Sequence, residues 1–512
     1  MVDSSQQDEN QSREDEPLFG GEDSYQPSDR RSPSPSAPPS LRTLFLFFMA
    51  LHFLIAFCEM ILVAPLIRIF ENSLCFKYYQ VHDPSVIGPG DSIEESLCKI
   101  TDIQVSLASI RGWKSLFDTI PGSISFYLLK KMTINSLNSS LARNPLWQVG
   151  RLLWAPEDHG DVPGGLDRLM VATVAAFPRI FPLELVWFSS AILFFGGGLY
   201  PFAANMWAMA SEAIPPERRS NTFYYVFSAF YMAELVASFV ASITIEISPW
   251  IPCGLSWASL FVSLFLLVVM PDPRKSSHYL QTKDSAGVLG TDTTKSVLAD
   301  GFRAALTDRN ILLTIPVFLV GTLRYTTLNV LIQYASVRFG MKLSKGATFY
   351  TEAAVVTIFL FLFLVPRGTD FIRSRFGVRP QKIDLVLVRT SVMLLCFGAL
   401  LLGLTPSAKF LPIGLLFFSA GFGSKVSALS LISYWISDSS KATLFAGIAV
   451  LENIGHAFGD PMMHQLLAAA FRLAPAWLPL PFFVAASIYS LAIFSTLFIS
   501  LDREIQSDRR VD

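Results

Sequence analysis

The chain has 512 residues, of which 52% are hydrophobic and 16% charged, with a formal net charge of −1. Soluble chains carry about 25% charge; the apolar composition excludes a disordered scaffold, five Cys are too few for a secreted disulfide domain, and the near-zero net charge implies no nucleic-acid partner. A polytopic α-helical membrane protein remains, with room for roughly twelve spans at about 20 residues each plus short loops.

Residues 1–40 hold nine acidic residues, three Arg and a Ser/Pro cluster from Ser32 to Ser40. Apolar side chains are scarce, so the segment cannot offset the entropy of ordering and is expected to be a disordered cytoplasmic tail. It lacks the basic start of a cleaved signal peptide. Glu14-Asp15-Glu16-Pro17-Leu18-Phe19 resembles an acidic dileucine sorting signal with Phe as its last letter; a plain solvated tail is the alternative.

Apolar runs then recur at 43–65, 183–212, 222–247, 250–270, 310–333, 347–366, 383–404, 410–436, 443–467 and 477–500. Each is long enough to span as a helix, the open-chain element that satisfies its own backbone in lipid. Two further candidates are weaker. One is 104–129, which carries Arg111, Lys114 and Asp118; the other is 167–182, which Pro178 interrupts.

Basic residues orient the array. Lys130 and Lys131, Arg218 and Arg219, Arg274 and Lys275, and the group from Arg367 to Lys382 fall on one side; Arg338, Lys342 and Lys345 dissent. Both termini are therefore expected in the cytoplasm. The expected domains are the tail 1–40, an N-terminal helix bundle 41–270, a cytoplasmic linker 271–308, a C-terminal bundle 309–500 and a short tail 501–512. Spans grouped around a long polar linker are the signature of a transporter built from two related halves.

The residues that follow the tail carry a resemblance. They read Cys58-Glu59-Met60, Ala64-Pro65-Leu66-Ile67-Arg68-Ile69-Phe70-Glu71, Cys75, Tyr78-Tyr79, Cys98-Lys99, Gln104 and Gly112-Trp113. Phe117-Asp118-Thr119-Ile120-Pro121-Gly122 continues it, and Pro182 to Trp187, Gly196-Gly197-Gly198, Ile214 to Arg219 and Ser248-Pro249-Trp250-Ile251-Pro252 extend it. In these segments the chain resembles the major facilitator superfamily, above all its fungal members found near secondary-metabolite genes. The N-terminal signature is similar to that of proton-coupled folate transporter-like carriers. The resemblance implies an all-α integral membrane fold of two six-helix bundles. It also implies a secondary active transporter moving a small organic molecule by alternating access, with proton-coupled efflux of a metabolite as the leading direction. A proton-coupled importer shares the architecture.

One region departs from the family pattern. Ser123 to Lys131 and the polar stretch up to Arg168 contain neither the Gly-x-x-x-Asp-x-x-Gly-Arg-Arg loop nor a full third span. A faint counterpart of the loop occurs as Asp370, Arg375-Phe376-Gly377 and Arg379. A misjoined exon and genuine divergence both account for this, and the third span is expected to be degenerate. A non-transporting membrane protein is the rival reading.

Charges inside spans carry the functional expectations, because each costs a few kcal/mol in lipid unless it faces a cavity or a partner. Glu59 is a candidate for proton or substrate contact, with a helix-packing ion pair as its alternative. Arg68, placed at the outer end of the first span, is a candidate for gating or anion contact, or else a snorkelling end residue. Arg111, Lys114 and Asp118 recur at helical spacing and should face the central cavity together; a local Lys114–Asp118 pair is the simpler alternative. Glu234 is a candidate for proton coupling. Arg324 and Lys425 are cations for an anionic substrate or for a carboxylate such as Glu452. Glu452, His456 and Asp460, with His464 beyond, lie near one face and suit a proton relay, since His titrates near neutral pH; a polar seam between helices is the alternative.

Cys75 and Cys98 are both expected in the first outer loop, where a disulfide can form. The aromatic run Phe223, Tyr224, Tyr225, Phe227, Phe230 and Tyr231 suits an amphipathic ligand. Asn138-Ser139-Ser140 fits a glycosylation acceptor but falls on the cytoplasmic side, where it would go unused. No ATP-binding loop and no enzyme or metal motif occurs, and no cofactor is expected. The expected partners are a small-molecule substrate, protons and the bilayer, for a monomer in the plasma membrane or a vacuolar or endosomal membrane.

Overall fold

The computed structural model describes residues 41–88, 93–136, 161–195, 216–269, 308–435 and 438–501. Among them there is helix and no strand. The first half comprises α1 (Leu41–Met60), α2 (Val63–His82), α3 (Thr101–Ser136), α4 (Asp161–Ala176), the single turn α5 (Val186–Ser189), α6 (Pro216–Ile247) and α7 (Trp250–Val269). The second half comprises α8 (Arg309–Phe339), α9 (Leu343–Phe359), α10 (Val365–Phe376), α11 (Pro380–Leu404), α12 (Leu411–Ala420), α13 (Ser424–Ser433), α14 (Asp438–Arg472) and α15 (Leu480–Leu497).

Seven helical segments among the described residues are long and apolar enough to cross a membrane, and Leu183–Leu193 and Trp250–Leu266 are shorter apolar helices. Their outward faces carry large apolar side chains, as on α7, where Phe261, Phe265 and Val268 are exposed. In lipid such a face needs no cover. The chain is an integral, multi-pass membrane protein.

Local chemistry explains the breaks. α1 and α2 form one apolar segment, Phe45–His82, interrupted between Met60 and Val63. Pro65 has no N–H to offer the carbonyl of Ile61, and a tighter bond from Leu62 N to Glu59 O (3.2 Å) closes the turn. Glu59 thus sits at the break of the first span. Pro366 follows a wide helical turn at Leu360–Leu364 for the same reason. Asp308 caps α8, its carboxylate accepting from the N–H of Asn310 at 2.7 Å and of Ile311 at 3.3 Å, and Gly340 ends that helix with φ of 64°, where a Cβ would be strained.

The structure moves several sequence expectations. The first span continues well past residue 65, so Arg68 lies within α2 and Cys75 is on a helix, not in the loop. The second span is 36 residues long. The weakest candidate span forms α4, which has 16 residues and stops two positions before Pro178; the residue preceding a proline is driven out of the helical region. The fourth span begins with short helical turns from Leu183 to Phe195. The sorting-like motif, the linker and Asn138 lie outside the described residues.

The halves meet along two seams, α3 against α14 and α6 against α9. Glycine permits the close approach: a Cβ on Gly112 of α3 would lie 2.9 Å from the Cβ of His464 on α14. At the end of the molecule carrying residues 83–88 and 93–100, the seams are tied by polar links. Glu95 accepts from the N–H of Leu343 at 2.8 Å. Ser344 donates to Glu246 at 2.9 Å, and Gln333 Nε2 donates to the main chain of Gln104 at 2.9 Å.

Candidate functional site in a charged central cavity

A cavity of about 290 Å³ lies between the halves. Its walls come from both: α1, α2, α3, α4 and α7 on one side, α8 and α14 on the other. Leu62, Leu66, Ile67 and Phe70 make an apolar wall, and the facing wall is charged.

The stripe on α3 turns inward as its spacing requires: Arg111, Lys114, Ser115 and Asp118 all line the cavity. Lys114 Nζ donates to Asp118 at 2.5 Å and to Asp167 at 3.0 Å. Ser190 donates to Asp118 at 2.6 Å and Ser189 to Asp167 at 2.5 Å. One ammonium thus serves two carboxylates, each with a hydroxyl donor of its own. Glu59 is paired with Arg168 of α4. Arg168 also meets the thiol of Cys58.

Across the cavity, Asp460 accepts from Ser115 of α3 at 2.7 Å and from Thr326 of α8. His456 Nδ1 stands 3.3 Å from the same carboxylate. Ser115 and Asp460 therefore join the two halves inside the cavity wall. His464, one turn further on, is buried and its Nδ1 has no hydrogen-bond partner among the described residues.

A second cluster lies along the α6 seam. Glu234 is fully buried. Its Oε2 accepts from the hydroxyl of Tyr325 at 3.5 Å, and its Oε1 has no partner among the described residues. Arg324 donates to the main chain of Phe422 at 2.9 Å and lies over the rings of Tyr325 and Phe422 at 4.9 and 5.2 Å, a favourable cation–π placement. Phe230 and Tyr231 of the aromatic run pack here, against Tyr325 and Phe361 respectively; the side chains of its other members lie outside the described residues.

The remaining sequence candidates separate from the cavity. Lys425 and Glu452 pair with one another at 2.8 Å, the carboxylate partner that was one of the two roles expected of Lys425. Arg68 bonds Glu71 at 3.1 Å and the main chain of Ile93 at 2.7 Å. Glu71 is buried and also takes Lys99 at 2.7 Å and Gln104 at 2.6 Å. This knot, with the Cys75–Cys98 disulfide beside it, fixes the loop over the end of α2. No His/Cys/Asp/Glu group suited to a metal ion occurs among the described residues.

Asp167 and Arg168 are the cavity residues that sequence reasoning missed. The signal was a charged pair at the start of a short apolar run, inside the stretch set aside as atypical.

Two helical halves around a polar cavity, joined across it by side chains from both, define a secondary membrane transporter that works by alternating access. The comparisons narrow this. The chain is 27% identical over 454 residues to the MFS efflux pump atnC of Emericella nidulans, covering 87% of this chain and 86% of that one. It is 27% identical over 453 residues to the efflux pump ustT of Aspergillus flavus, covering 85% and 83%. Among solved structures, the xylose transporter XylE from E. coli matches with a TM-score of 0.53 at 13% identity, over 90% of this chain and 98% of that one. No family model matches the chain. In sequence the chain is similar to these efflux pumps, and it shares its fold with the xylose transporter.

Proposed function

We propose that the protein is a proton-coupled efflux carrier for a small organic metabolite. The likeness to two named efflux pumps supports the direction. The coupling rests on one observation: Glu234 is wholly buried at the seam between the halves, with one oxygen unpartnered and no ion pair among the described residues. A carboxylate in that setting is far costlier charged than neutral. It takes up a proton when the seam is shut and loses it when the seam opens to water.

The tied end, with Glu95, Glu246 and Gln104 reaching Leu343, Ser344 and Gln333, is assigned to the outer face. The first half, 41–270, then rocks against the second, 309–500, as these links break and form. Asp118, Asp167 and Asp460 sit where a passing substrate alters their contacts and complete the proton route with His456.

Inside-out membrane vesicles with an acidified interior test this. They should accumulate candidate metabolites, lose that accumulation with a protonophore, and lose about tenfold or more of it in Glu234→Gln. Gradient-driven accumulation undiminished in Glu234→Gln removes the assignment of the proton site. Uptake only in right-side-out vesicles with an acidic exterior converts the carrier to an importer.

A further inference from the structure

Arg111 stands apart from the other charges of the cavity. Glu59 has Arg168, Lys114 has two carboxylates, and Asp460 has His456 with two hydroxyls. Arg111 has no carboxylate partner among the described residues. Its guanidinium meets neutral oxygens alone: Nη1 donates to Gln333 Oε1 at 3.3 Å and Nη2 to the main chain of Asn329 at 3.5 Å. Both contacts are long, and a guanidinium has five N–H donors.

The surroundings hold this arrangement in place. Gln333 is committed through its Nε2 to Gln104, at 2.9 Å to the main chain and 3.0 Å to the side chain. Its oxygen therefore stays toward Arg111. His464 packs against Gly112, the next residue along α3, and lines the cavity with its Nδ1 unpartnered. Two nitrogen groups, one a permanent cation, thus border one part of the cavity with capacity to spare. The carboxylates elsewhere in the wall are already satisfied. A partly buried cation without a counter-ion is costly, and the missing counter-ion is one that a ligand can bring.

We infer that Arg111, with His464 beside it, is the subsite for an anionic oxygen group, a carboxylate or similar oxyanion, on the transported molecule. This rests on the transport reading above and narrows its substrates to organic acids. The forked guanidinium matches two oxygens at once. The apolar wall of Leu66, Ile67 and Phe70 receives the body of the ligand. Neither Arg111 nor His464 has a role in the proton route.

Equilibrium binding to the full chain in lipid nanodiscs at neutral pH provides the test. The probes are aromatic and aliphatic carboxylic acids, each matched with its primary amide, beginning with naphthoate and naphthamide. At least one acid should bind about tenfold or more tightly than its amide. Arg111→Gln should reduce that preference to about one, and Gly321→Ala, where a Cβ meets nothing within 4 Å, should leave it intact. If no acid is preferred over its amide, or if Arg111→Gln keeps the preference with an unchanged melting temperature, the subsite is overturned. Should Arg111→Gln fail to fold, Arg111→Lys decides, since it keeps the charge and loses the fork. It should weaken the acid and spare the amide, and equal acid binding in Arg111→Lys and the parent overturns the proposal. Flux of the same acid in proteoliposomes reports on transport separately: binding without flux keeps the subsite and removes the carrier reading.

Discussion

Gln333 of α8 reaches across to Gln104 of α3, giving its Nε2 to the main chain at 2.9 Å and to the side chain at 3.0 Å. Both residues are buried, so this bidentate link between the two halves is shielded from competing water. It lies at the same end as the Glu95–Leu343 and Glu246–Ser344 contacts. Opening that end to release a substrate must break all three.

A cross-link at this point should therefore stop the cycle. Gln104→Cys with Gln333→Cys, joined by a short bifunctional thiol reagent, is expected to abolish flux in vesicles, and cleavage of the linker should restore it. The parent chain treated identically controls for reduction of Cys75–Cys98. Continued flux in the fully cross-linked protein would show that this end does not open.

Lys114 offers a sharper energetic contrast. It is shared by Asp118 and Asp167, so Lys114→Met leaves two carboxylates facing each other without a cation. Removing one partner of a buried pair costs about 3–5 kcal/mol, and the melting temperature in detergent should fall sharply. Asp118→Asn leaves the Lys114–Asp167 pair standing and should cost about 1 kcal/mol or less. Equal losses in the two variants would mean that Asp167 contributes nothing to holding α3 against α4.

Much of this was legible in the sequence, and the parts that were not have physical reasons. Arg111, Lys114 and Asp118 face the cavity because helical spacing leaves them no other common face. That inference needs only the period of a helix. Long apolar runs gave the spans for the same reason. Lys425 with Glu452 was one of the pairings the residues offered, whereas the partner of Glu59 was hidden, because Arg168 lies far along the chain. Asp167 and Arg168 went unseen because their helix, α4, is too short and too polar at its start to read as a span. The length of α2 was missed because Arg68 looked like a residue at the outer end of a span, and Glu71 follows it one turn on. Their charges are neutralised within the knot that also holds Lys99, so the helix continues through them.

That knot supports a prediction about the disulfide. Cys75 on α2 is tied to Cys98 beside Lys99, and both sulfurs are buried with Phe76, Ile93 and Ile103. Cys75→Ser with Cys98→Ser should lower stability by about 2–4 kcal/mol, seen as a drop in melting temperature. Maleimide labelling of the unfolded parent should count three free thiols, Cys58, Cys253 and Cys396. Five labelled thiols would show that the loop is not oxidised.

Three glycines test whether close helix packing or backbone freedom is what the second half requires. Gly398 of α11 lies against the backbone of Phe418 on α12, and a Cβ on Gly421 would come within 2.6 Å of Leu395 Cγ and Ser391 O. Gly421 has φ of −79°, open to any residue. The need for glycine there is therefore steric, since added volume must push two helices apart. Overpacking of this kind costs about 1–3 kcal/mol, and Gly398→Ala and Gly421→Ala should each lower the melting temperature accordingly. Gly321 of α8 has nothing within 4 Å of a built Cβ, so Gly321→Ala should be neutral or gain up to about 1 kcal/mol from helix propensity. A uniform loss across all three would mean that backbone flexibility, not the contact between α11 and α12, is what these positions supply.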